Sequence, residues 1–252
     1  MEHQDLIKKI KEKKELKGIE DSFVLEYLKK ELKKINKTNL SEKDIKEITK
    51  RVRSDLRLSA GRFVFSSKKQ MELIKNNDWD SLLNKHYSTK ERISFYEELK
   101  SKISSLKIKT ILDIGCGLNP LVLAKNSEFY YASDIDNSNL DIVKEYFKKN
   151  NIQGKVFFHD LKKINSELPE VDLCLILKVF DVVSKNNSSL TEKILSNIKF
   201  KYLIASFPTK KLSGKNMNFP RRFWFERVLR KLSFSYSTFS SDNEIFYLIE
   251  RS

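Results

Sequence analysis

Cysteine and histidine are scarce in this sequence. Its 252 residues include two cysteines, Cys116 and Cys174, and three histidines, His3, His86 and His159. The cysteines lie in a glycine-rich turn and in an apolar run, which predicts small buried side chains in a reducing compartment. Two cysteines and three scattered histidines do not suffice for a metal cluster. We therefore expect no metal centre.

Long apolar runs are also lacking. No run approaches the roughly 20 apolar residues that are needed to span a bilayer. The N-terminus is charged from its first residues and does not resemble a secretory signal. There is neither an internal repeat nor a low-complexity linker. These features predict a soluble, cytoplasmic protein with no membrane contact.

Positive charge, by contrast, is in excess. Lysine and arginine total 49 against 34 aspartates and glutamates, a formal net charge of +15, while the hydrophobic fraction of 40% is ordinary. Such an excess favours a polyanionic partner, and nucleic acid is the first candidate. The alternative is a basic protein whose charges are simply solvated.

Residues 1–105 have a purely helical pattern and are predicted to form an N-terminal domain. Two apolar stripes at helical spacing are formed by Phe23, Tyr27, Leu28 and Leu32 and by Ile45, Ile48, Val52 and Leu56. Residues 41–44 have the pattern of a capping box at the start of the second helix. The mostly charged residues before position 13 are expected to fray.

Two more helices are predicted in the same region. One covers residues 68–76 with an extension through Trp79 to Leu83, and the other begins at Ser88 or Thr89 and ends near Ser105.

From Lys109 the pattern changes to alternating strands and helices, which predicts an α/β domain over residues 106–252. Predicted strands cover residues 110–114, 129–133, 155–159, 172–177 and 202–207, and predicted helices cover 121–124, 139–150, 190–197 and 221–232. Two strand-like runs, 233–240 and 244–250, flank a three-residue turn and predict a hairpin. Five parallel strands closed by an antiparallel hairpin predict the Rossmann-like, seven-stranded sheet of the class I S-adenosylmethionine (SAM) methyltransferases, with an N-terminal helical domain.

A glycine-rich turn follows the first predicted strand in the segment ILDIGCGLNP, residues 111–120. Gly115 and Gly117 would let the backbone pass close to a nucleotide-type cofactor. The second strand ends at Asp134, 17 residues after Gly117, where an acid that binds ribose is expected. The alternatives are that Asp134 caps the next helix, or that Asp136 binds the ribose.

Other polar residues follow the next strands, at the edge of the sheet where ligands bind. Asp160 could accept a hydrogen bond from the adenine amino group while Leu161 covers the ring, although an ordinary turn acid is nearly as good an interpretation. Lys178 directly follows the apolar run LCLIL, residues 173–177. Its position favours contact with the methyl acceptor over a purely solvated role.

Two basic groups are candidates for RNA contact. The loop after the fifth strand carries Lys210, Lys211 and Lys215, with Phe219 or Trp224 available to meet a base. The alternative is an exposed loop with incidental charge. The second group is spaced so that several of its arginines could share one helix face, and it contains Arg51, Arg53, Arg57 and Arg62.

Four segments together resemble the aminoglycoside-resistance 16S rRNA methyltransferases that modify guanine N7. They are STKER at 88–92, DIGCGLNP at 113–120, SFPT at 206–209 and WFE at 224–226. GLNP and SFPT are more specific than a generic glycine turn. The similarity extends to residues 52–63 and covers about residues 45–252.

The resemblance implies that SAM is the cofactor and that the helical domain docks on the small ribosomal subunit (30S). His86, Ser88 and Arg92 would line the cofactor pocket, with Arg92 holding the methionine carboxylate. Phe63 and Leu177 are further predicted to line it. The alternative for Arg92 is a surface ion pair with Glu91 or Glu98. The family usually has a glycine- and arginine-rich loop after SFPT, whereas this chain has KKLSGKN, so the target nucleotide stays open.

The predicted acceptor decides the mechanism. Guanine N7 has a lone pair and no proton, so its methylation needs no general base, and we assign none. Lys178, Lys210, Lys211 and Trp224 are predicted to position the base. The role could be aminoglycoside resistance or routine ribosome modification, and we expect a monomer. The alternatives are a methyltransferase of another RNA, a protein or a small molecule, and a ribosome-binding factor without catalysis.

Overall fold

The computed structural model describes residues 3–35, 40–60, 67–163, 167–184, 188–210 and 215–251. Within these ranges the side chains of residues 14, 58–60, 67, 68, 87 and 88 are not described. The predictions for Phe63, Arg62, Lys211 and the Ser88 side chain therefore lie outside the described residues.

Over residues 3–35 and 40–60, the N-terminal helical unit contains three helices and one short 3-10 turn. They are α1 (His3–Lys11), the turn Lys14–Leu16, α2 (Asp21–Leu32) and α3 (Glu42–Ala60). The two predicted stripes lie in a common core, and Leu6, Ile7 and Ile10 of α1 join them there. From His3 onward the expectation of a frayed N-terminus was wrong, because these three residues form an apolar stripe of their own. The capping box is confirmed, since the Asp44 amide donates to Ser41 Oγ at 3.3 Å and the Ser41 amide to Asp44 Oδ2 at 3.0 Å.

Short helices connect this unit to the sheet. They are α4 (Ser67–Lys75), α5 (Trp79–Lys85), α6 (Tyr87–Lys90), a 3-10 turn (Ile93–Phe95) and α7 (Tyr96–Ser105). The predicted continuous helices are both interrupted. Asn77 has a φ of 56°, and Asp78 caps α5 by accepting from the Ser81 amide at 3.0 Å. Thr89 does not begin the expected long helix, because it lies inside the short α6, where its hydroxyl donates to the carbonyl of Leu83 at 2.9 Å.

The rest of the chain forms a seven-stranded sheet in the order β3-β2-β1-β4-β5-β7-β6. Its strands are β1 (Thr110–Ile114), β2 (Phe129–Asp134), β3 (Gly154–Phe158), β4 (Val171–Leu177), β5 (Phe200–Pro208), β6 (Ser235–Ser240) and β7 (Glu244–Glu250). The first five are parallel, and β7 runs antiparallel to both β5 and β6. The predicted fold class and the terminal hairpin are confirmed.

Helices cover both faces of the sheet. They are α8 (Pro120–Leu123), α9 (Asn137–Lys149), α10 (Phe180–Ser184), α11 (Ser188–Asn197) and α12 (Phe223–Lys231). The sequence did not predict α10. One face packs against α8 and α9, and α5 and α7 supply buried residues to the same core. The region 1–105 is thus divided between two cores, because α1–α3 pack among themselves while α4–α7 lie nearer the sheet.

Both cysteines are buried as free thiols, as predicted. Across the described ranges, no helix combines the length and apolarity that a membrane crossing requires.

Candidate active site

The glycine turn after β1 is shaped by two residues in the left-handed region. Gly115 has a φ of 68° and Gly117 a φ of 50°. A Cβ atom on Gly117 would lie 2.8 Å from Cε1 of His86, so a larger residue has no room there. The amides of Gly115 and Cys116 both donate to the carbonyl of Ser133, at 2.8 and 2.9 Å, which ties the turn to β2. The turn is therefore a fixed cradle at the carboxyl edge of the sheet.

Asp134 is buried against this cradle. Its Oδ2 accepts from the Gly117 amide at 2.8 Å and its Oδ1 from the Asp136 amide at 3.0 Å. Burial raises the pKa of Asp134, although these backbone hydrogen bonds oppose the shift. The helix-cap alternative for Asp134 is wrong, because Asp136 caps α9 by accepting from the Ser138 amide at 2.8 Å. Its role with ribose stays a prediction.

Asp160 lies at the end of β3, also buried. Its Oδ1 accepts from the Lys162 amide at 3.0 Å, as expected of a turn acid. Its Oδ2 is buried and, within the described part of the chain, has no hydrogen-bond partner. An oxygen in that state is available to an amino group of a ligand. Leu161 and Leu177 are buried near the same edge, 6% and 4% exposed.

His86 is buried beside the cradle. Its Nδ1 lies 3.1 Å from Thr89 Oγ1, and burial lowers the pKa of His86 to about 3. The ring is therefore neutral at physiological pH and contributes shape and hydrogen bonding, not charge.

Arg92 lies in a buried polar cluster. It forms a two-point ion pair with Glu244, Nε to Oε2 at 3.1 Å and Nη2 to Oε1 at 2.8 Å. Its Nη1 donates to Asn119 Oδ1 at 2.7 Å, and the hydroxyl of Tyr96 donates to the same oxygen at 2.8 Å. Burial lowers the pKa of Arg92, but the attraction of Glu244 outweighs it, and the net pKa is raised. The alternative of a surface ion pair with Glu91 or Glu98 was wrong, since Arg92 is 1% exposed.

The role of Glu244 in this cluster was not predicted from the sequence. It lies 152 residues from Arg92 along the chain, which no local pattern reveals. The available signal was an acid at the head of the otherwise apolar strand EIFYLI.

Lys178 joins the same cluster. Its φ is 60°, an uncommon value for a residue other than glycine, and its amide donates to the carbonyl and hydroxyl oxygens of Ser206 at 3.1 and 3.0 Å. Its Nζ lies 2.8 Å from Glu91 Oε2 and 3.4 Å from Glu244 Oε2. The lysine is 14% exposed, so it is not a solvated surface lysine. Backbone strain of this kind is often found at functional sites.

The segment that follows β5 carries basic and aromatic side chains. Lys210 is half-buried and pairs with Asn216 in a short antiparallel bridge, while Lys215 is exposed. Phe219 and Phe223 are 74% and 56% exposed. These two rings are open to a ligand, and the sequence reading did not single out Phe223.

Trp224 has a different environment from these two rings. It is half-buried and packs edge-on against Phe207 and Phe225, with ring centroids 6.0 and 5.7 Å away. Its main contacts are therefore with the hydrophobic core and not with solvent.

The arginines of α3 are engaged within the helical unit. Arg51 pairs with Glu47 and Glu31, Arg53 donates to the carbonyls of Ile10 and Lys9, and Arg57 donates to Glu15. The predicted basic face is thus partly neutralised in this state, and RNA contact by these arginines stays a prediction.

Fold and site together define a class I SAM-dependent methyltransferase. The glycine cradle, the buried Asp134 and the available oxygen of Asp160 fit the cofactor of that class. The profile of the family "Ribosomal RNA methyltransferase (FmrO)" matches residues 75–247, more than half of the chain. The chain belongs to this family.

Individual relatives agree with this assignment. A 16S rRNA (guanine(1405)-N(7))-methyltransferase of Proteus mirabilis is 26% identical over 187 residues, which cover 68% of this chain and 64% of the relative. The protein of the same description from Serratia marcescens is 26% identical over 180 residues, with 69% and 70% covered. The match thus spans slightly less than two thirds of the Proteus protein.

Solved structures share the fold over the whole chain. The 16S rRNA methyltransferase RmtF, in complex with S-adenosyl-L-homocysteine, superposes with a TM-score of 0.83 at 24% identity, covering 100% of both chains. The 16S rRNA methylase RmtB gives 0.81 at 22% identity, covering 100% of this chain and 99% of the other.

Proposed function

We propose that this protein transfers the methyl group of SAM to N7 of a guanine in the 16S-type rRNA of the small ribosomal subunit, in the decoding region. The observation that carries this proposal is the family match over residues 75–247. The matched residues include the glycine cradle, the acids Asp134 and Asp160, and the residues assigned to the methyl acceptor. The relatives named above act on guanine N7 of 16S rRNA according to their descriptions.

Cofactor binding is assigned to the cradle. Gly115 and Gly117 leave room for the ligand, Asp134 would accept from the ribose hydroxyls, and Asp160 Oδ2 from the adenine amino group. Leu161 and Leu177 would pack beside the ring, and Arg92 would lie at the methionine end. When bound, SAM supplies an electrophilic methyl group on its sulfonium.

The acceptor side agrees with a nucleophile that has no proton to lose. Two carboxylates, Glu91 and Glu244, lie within 3.4 Å of Lys178 Nζ and are paired with it. Burial raises the pKa of Glu244, but Arg92 and Lys178 outweigh it, so the net pKa is lowered and Glu244 is a poor proton acceptor. Guanine N7 needs no general base, whereas an exocyclic amine or a hydroxyl would. The chain's task is then to position the base.

RNA contact would come from the basic and aromatic rim. Lys210 and Lys215 can meet phosphates, and the exposed rings of Phe219 and Phe223 can stack on bases. We also propose that the protein acts as a monomer and that the transfer requires no metal. Large apolar side chains exposed among the described residues are few, and they are Met71, Ile93, Phe219 and Phe223.

The test is transfer of labelled methyl from SAM to purified 30S subunits, 50S subunits and bulk tRNA. Borohydride and aniline cleavage followed by primer extension then maps any N7-methylated guanine. We expect label on 30S subunits at one cleavable guanine, and loss of at least tenfold in rate for Asp134→Asn, a change of about 1.4 kcal/mol or more. Asp141→Asn, an exposed acid on α9, is the matched control and keeps the wild-type rate.

Other outcomes separate the alternatives. Label on tRNA or 50S subunits alone would mean another RNA substrate. Binding of S-adenosylhomocysteine without label on any RNA would direct the search to protein or small-molecule acceptors. Binding to 30S subunits without binding of S-adenosylhomocysteine would identify a factor without catalysis.

A further inference from the structure

A three-residue strap of the helical unit, residues 18–20, lies against the turn that follows β2. Ile19 and Asp136 form an antiparallel bridge. The Asn137 amide donates to the carbonyl of Gly18 at 2.9 Å, and the Glu20 amide to that of Ile135 at 3.4 Å. The Asn137 side chain also donates to Glu20. The strap is thus bonded to this turn through backbone and side chain.

On the side away from β2, the strap packs into the core of the helical unit. Ile19 and the neighbouring Leu16 are each 1% exposed in the core of the helical unit. A Cβ atom on Gly18 would lie 2.0 Å from Ser138 Oγ and 2.1 Å from Asp136 Oδ1, the pair that caps α9. Only glycine allows this close approach without displacing the cap.

A second contact links α2 to the turn that follows β3. Lys162 Nζ donates to the hydroxyl of Tyr27 at 2.5 Å and lies over the rings of Tyr27 and Phe23, at 5.0 and 5.8 Å from their centroids. Phe158, at the end of β3, packs partly into the core of the helical unit.

The strap and the Tyr27–Lys162 contact each involve a residue whose backbone amide holds one of the two acids assigned to the adenosine half of the cofactor. Asp134 Oδ1 is held by the amide of Asp136, which pairs with the strap. Asp160 Oδ1 is held by the amide of Lys162, whose side chain is bonded to Tyr27. Each acid is therefore oriented by a backbone amide of a residue that the helical unit holds in place.

We propose that Gly18 and Tyr27 are positioning residues for the adenosine half of the SAM site, so that the helical unit completes this half from outside the methyltransferase sheet. The proposal rests on the function proposed above. It means that the unit assigned to ribosome docking and the cofactor pocket are coupled, since a shift of α2 and the strap moves both turns.

The test is isothermal titration of full-length protein with S-adenosylhomocysteine, without RNA. Tyr27→Phe removes only the hydroxyl that accepts from Lys162 and keeps the ring. We expect its dissociation constant to rise about fivefold, the size expected for loss of one net hydrogen bond. Gly18→Ala displaces both the α9 cap and the strap, and we expect its dissociation constant for S-adenosylhomocysteine to rise about tenfold.

Titration with a fragment of the cofactor distinguishes a positioning role from a general destabilisation of the protein. Methylthioadenosine carries the adenosine half and no amino acid carboxylate, so each variant should weaken it by the same factor as S-adenosylhomocysteine. Glu15→Gln is the matched control, since it removes the charge from a contact between the Lys14–Leu16 turn and α3 that touches neither cofactor turn. It should leave both dissociation constants unchanged.

The outcomes are separable. Wild-type affinity in both Tyr27→Phe and Gly18→Ala would overturn the coupling and leave the proposed function intact. An equal loss in Glu15→Gln would also overturn it, because the effect would then be general. Failure of the wild-type protein to bind S-adenosylhomocysteine would overturn the proposed function and the coupling with it.

Discussion

Ion pairs in two regions of this molecule have the same chemistry and very different surroundings. At the carboxyl edge of the sheet, the side chains of Arg92 and Glu244 are 1% and 0% exposed. On the helical unit, those of Arg57 and Glu15 are 43% and 33% exposed. Removing one partner of the Arg92–Glu244 pair leaves the other charge buried and out of contact with water. Removing one partner of the Arg57–Glu15 pair leaves a charge that water can solvate. The edge cluster should therefore be sensitive to single substitutions, and the helical pairs tolerant.

The largest expected effect comes from removing Glu244. Glu244→Ala leaves Arg92 buried without its partner, and we expect a loss of about 3–5 kcal/mol in the free energy of unfolding. At about 2–4 °C per kcal/mol for a chain of this size, the melting temperature should fall by roughly 10 °C. Urea unfolding followed by circular dichroism gives the first quantity, and a thermal scan the second.

Glu244→Gln is the companion variant. It keeps the size and the hydrogen-bonding oxygen but not the charge, so it should be destabilised less than Glu244→Ala. A loss in Glu244→Ala no larger than that of an exposed pair would contradict the assignment of a desolvated cluster.

The buried Asp113 is expected to make the stability of the protein depend on pH. Its carboxylate accepts from the hydroxyl of Tyr130 at 2.8 Å, and burial raises its pKa to about 7 even though Tyr130 and Arg92 lower it. An acid whose pKa is raised on folding stabilises the native state least at high pH. Its contribution is complete below the unfolded value near 4 and is lost as the pH rises through about 7.

Asp113→Asn removes this titration and keeps the shape. We expect the melting temperature of the variant, relative to wild type, to rise by about 4 °C between pH 5 and pH 8, corresponding to about 2 kcal/mol. Thermal scans of both proteins across this range give the difference. A constant difference would show that Asp113 does not titrate there.

Much of the fold could be predicted because local patterns specify it. Alternation and apolar runs located all seven strands within two residues of their ends, and the turn at 241–243 identified the hairpin. The glycine turn and the acids at strand ends follow from the geometry of parallel sheets, which brings successive carboxyl ends to one edge. The resemblance to the rRNA methyltransferase family is confirmed by the family match.

What could not be predicted depends on contacts between distant segments. Glu244 meets Arg92 only after the last strand has folded beside β5, and the strap meets β2 only when the helical unit has packed. The helix expected from Ser88 or Thr89 to Ser105 is interrupted by the 3-10 turn Ile93–Phe95, directly after Arg92, which Glu244 and Asn119 hold in place. A low sequence signal is expected wherever tertiary packing overrides local propensity.

The smallest expected effect comes from Glu15→Gln on the helical unit. Arg57 Nε donates to Glu15 at 2.9 Å, and hydrogen bonds from the backbone of Glu15 and from Arg57 lower the pKa of Glu15. We expect a loss below about 1 kcal/mol that shrinks further in 1 M salt, because exposed charges are screened. A lowered pKa means that the contribution of Glu15 is present above its unfolded value near 4 and is lost as the pH falls through the folded one. Thermal scans should thus show a small difference between variant and wild type at pH 7 that shrinks as the pH falls below the unfolded value. A difference as large as that of Glu244→Ala would show that the exposed fraction of an ion pair does not set its sensitivity in this protein.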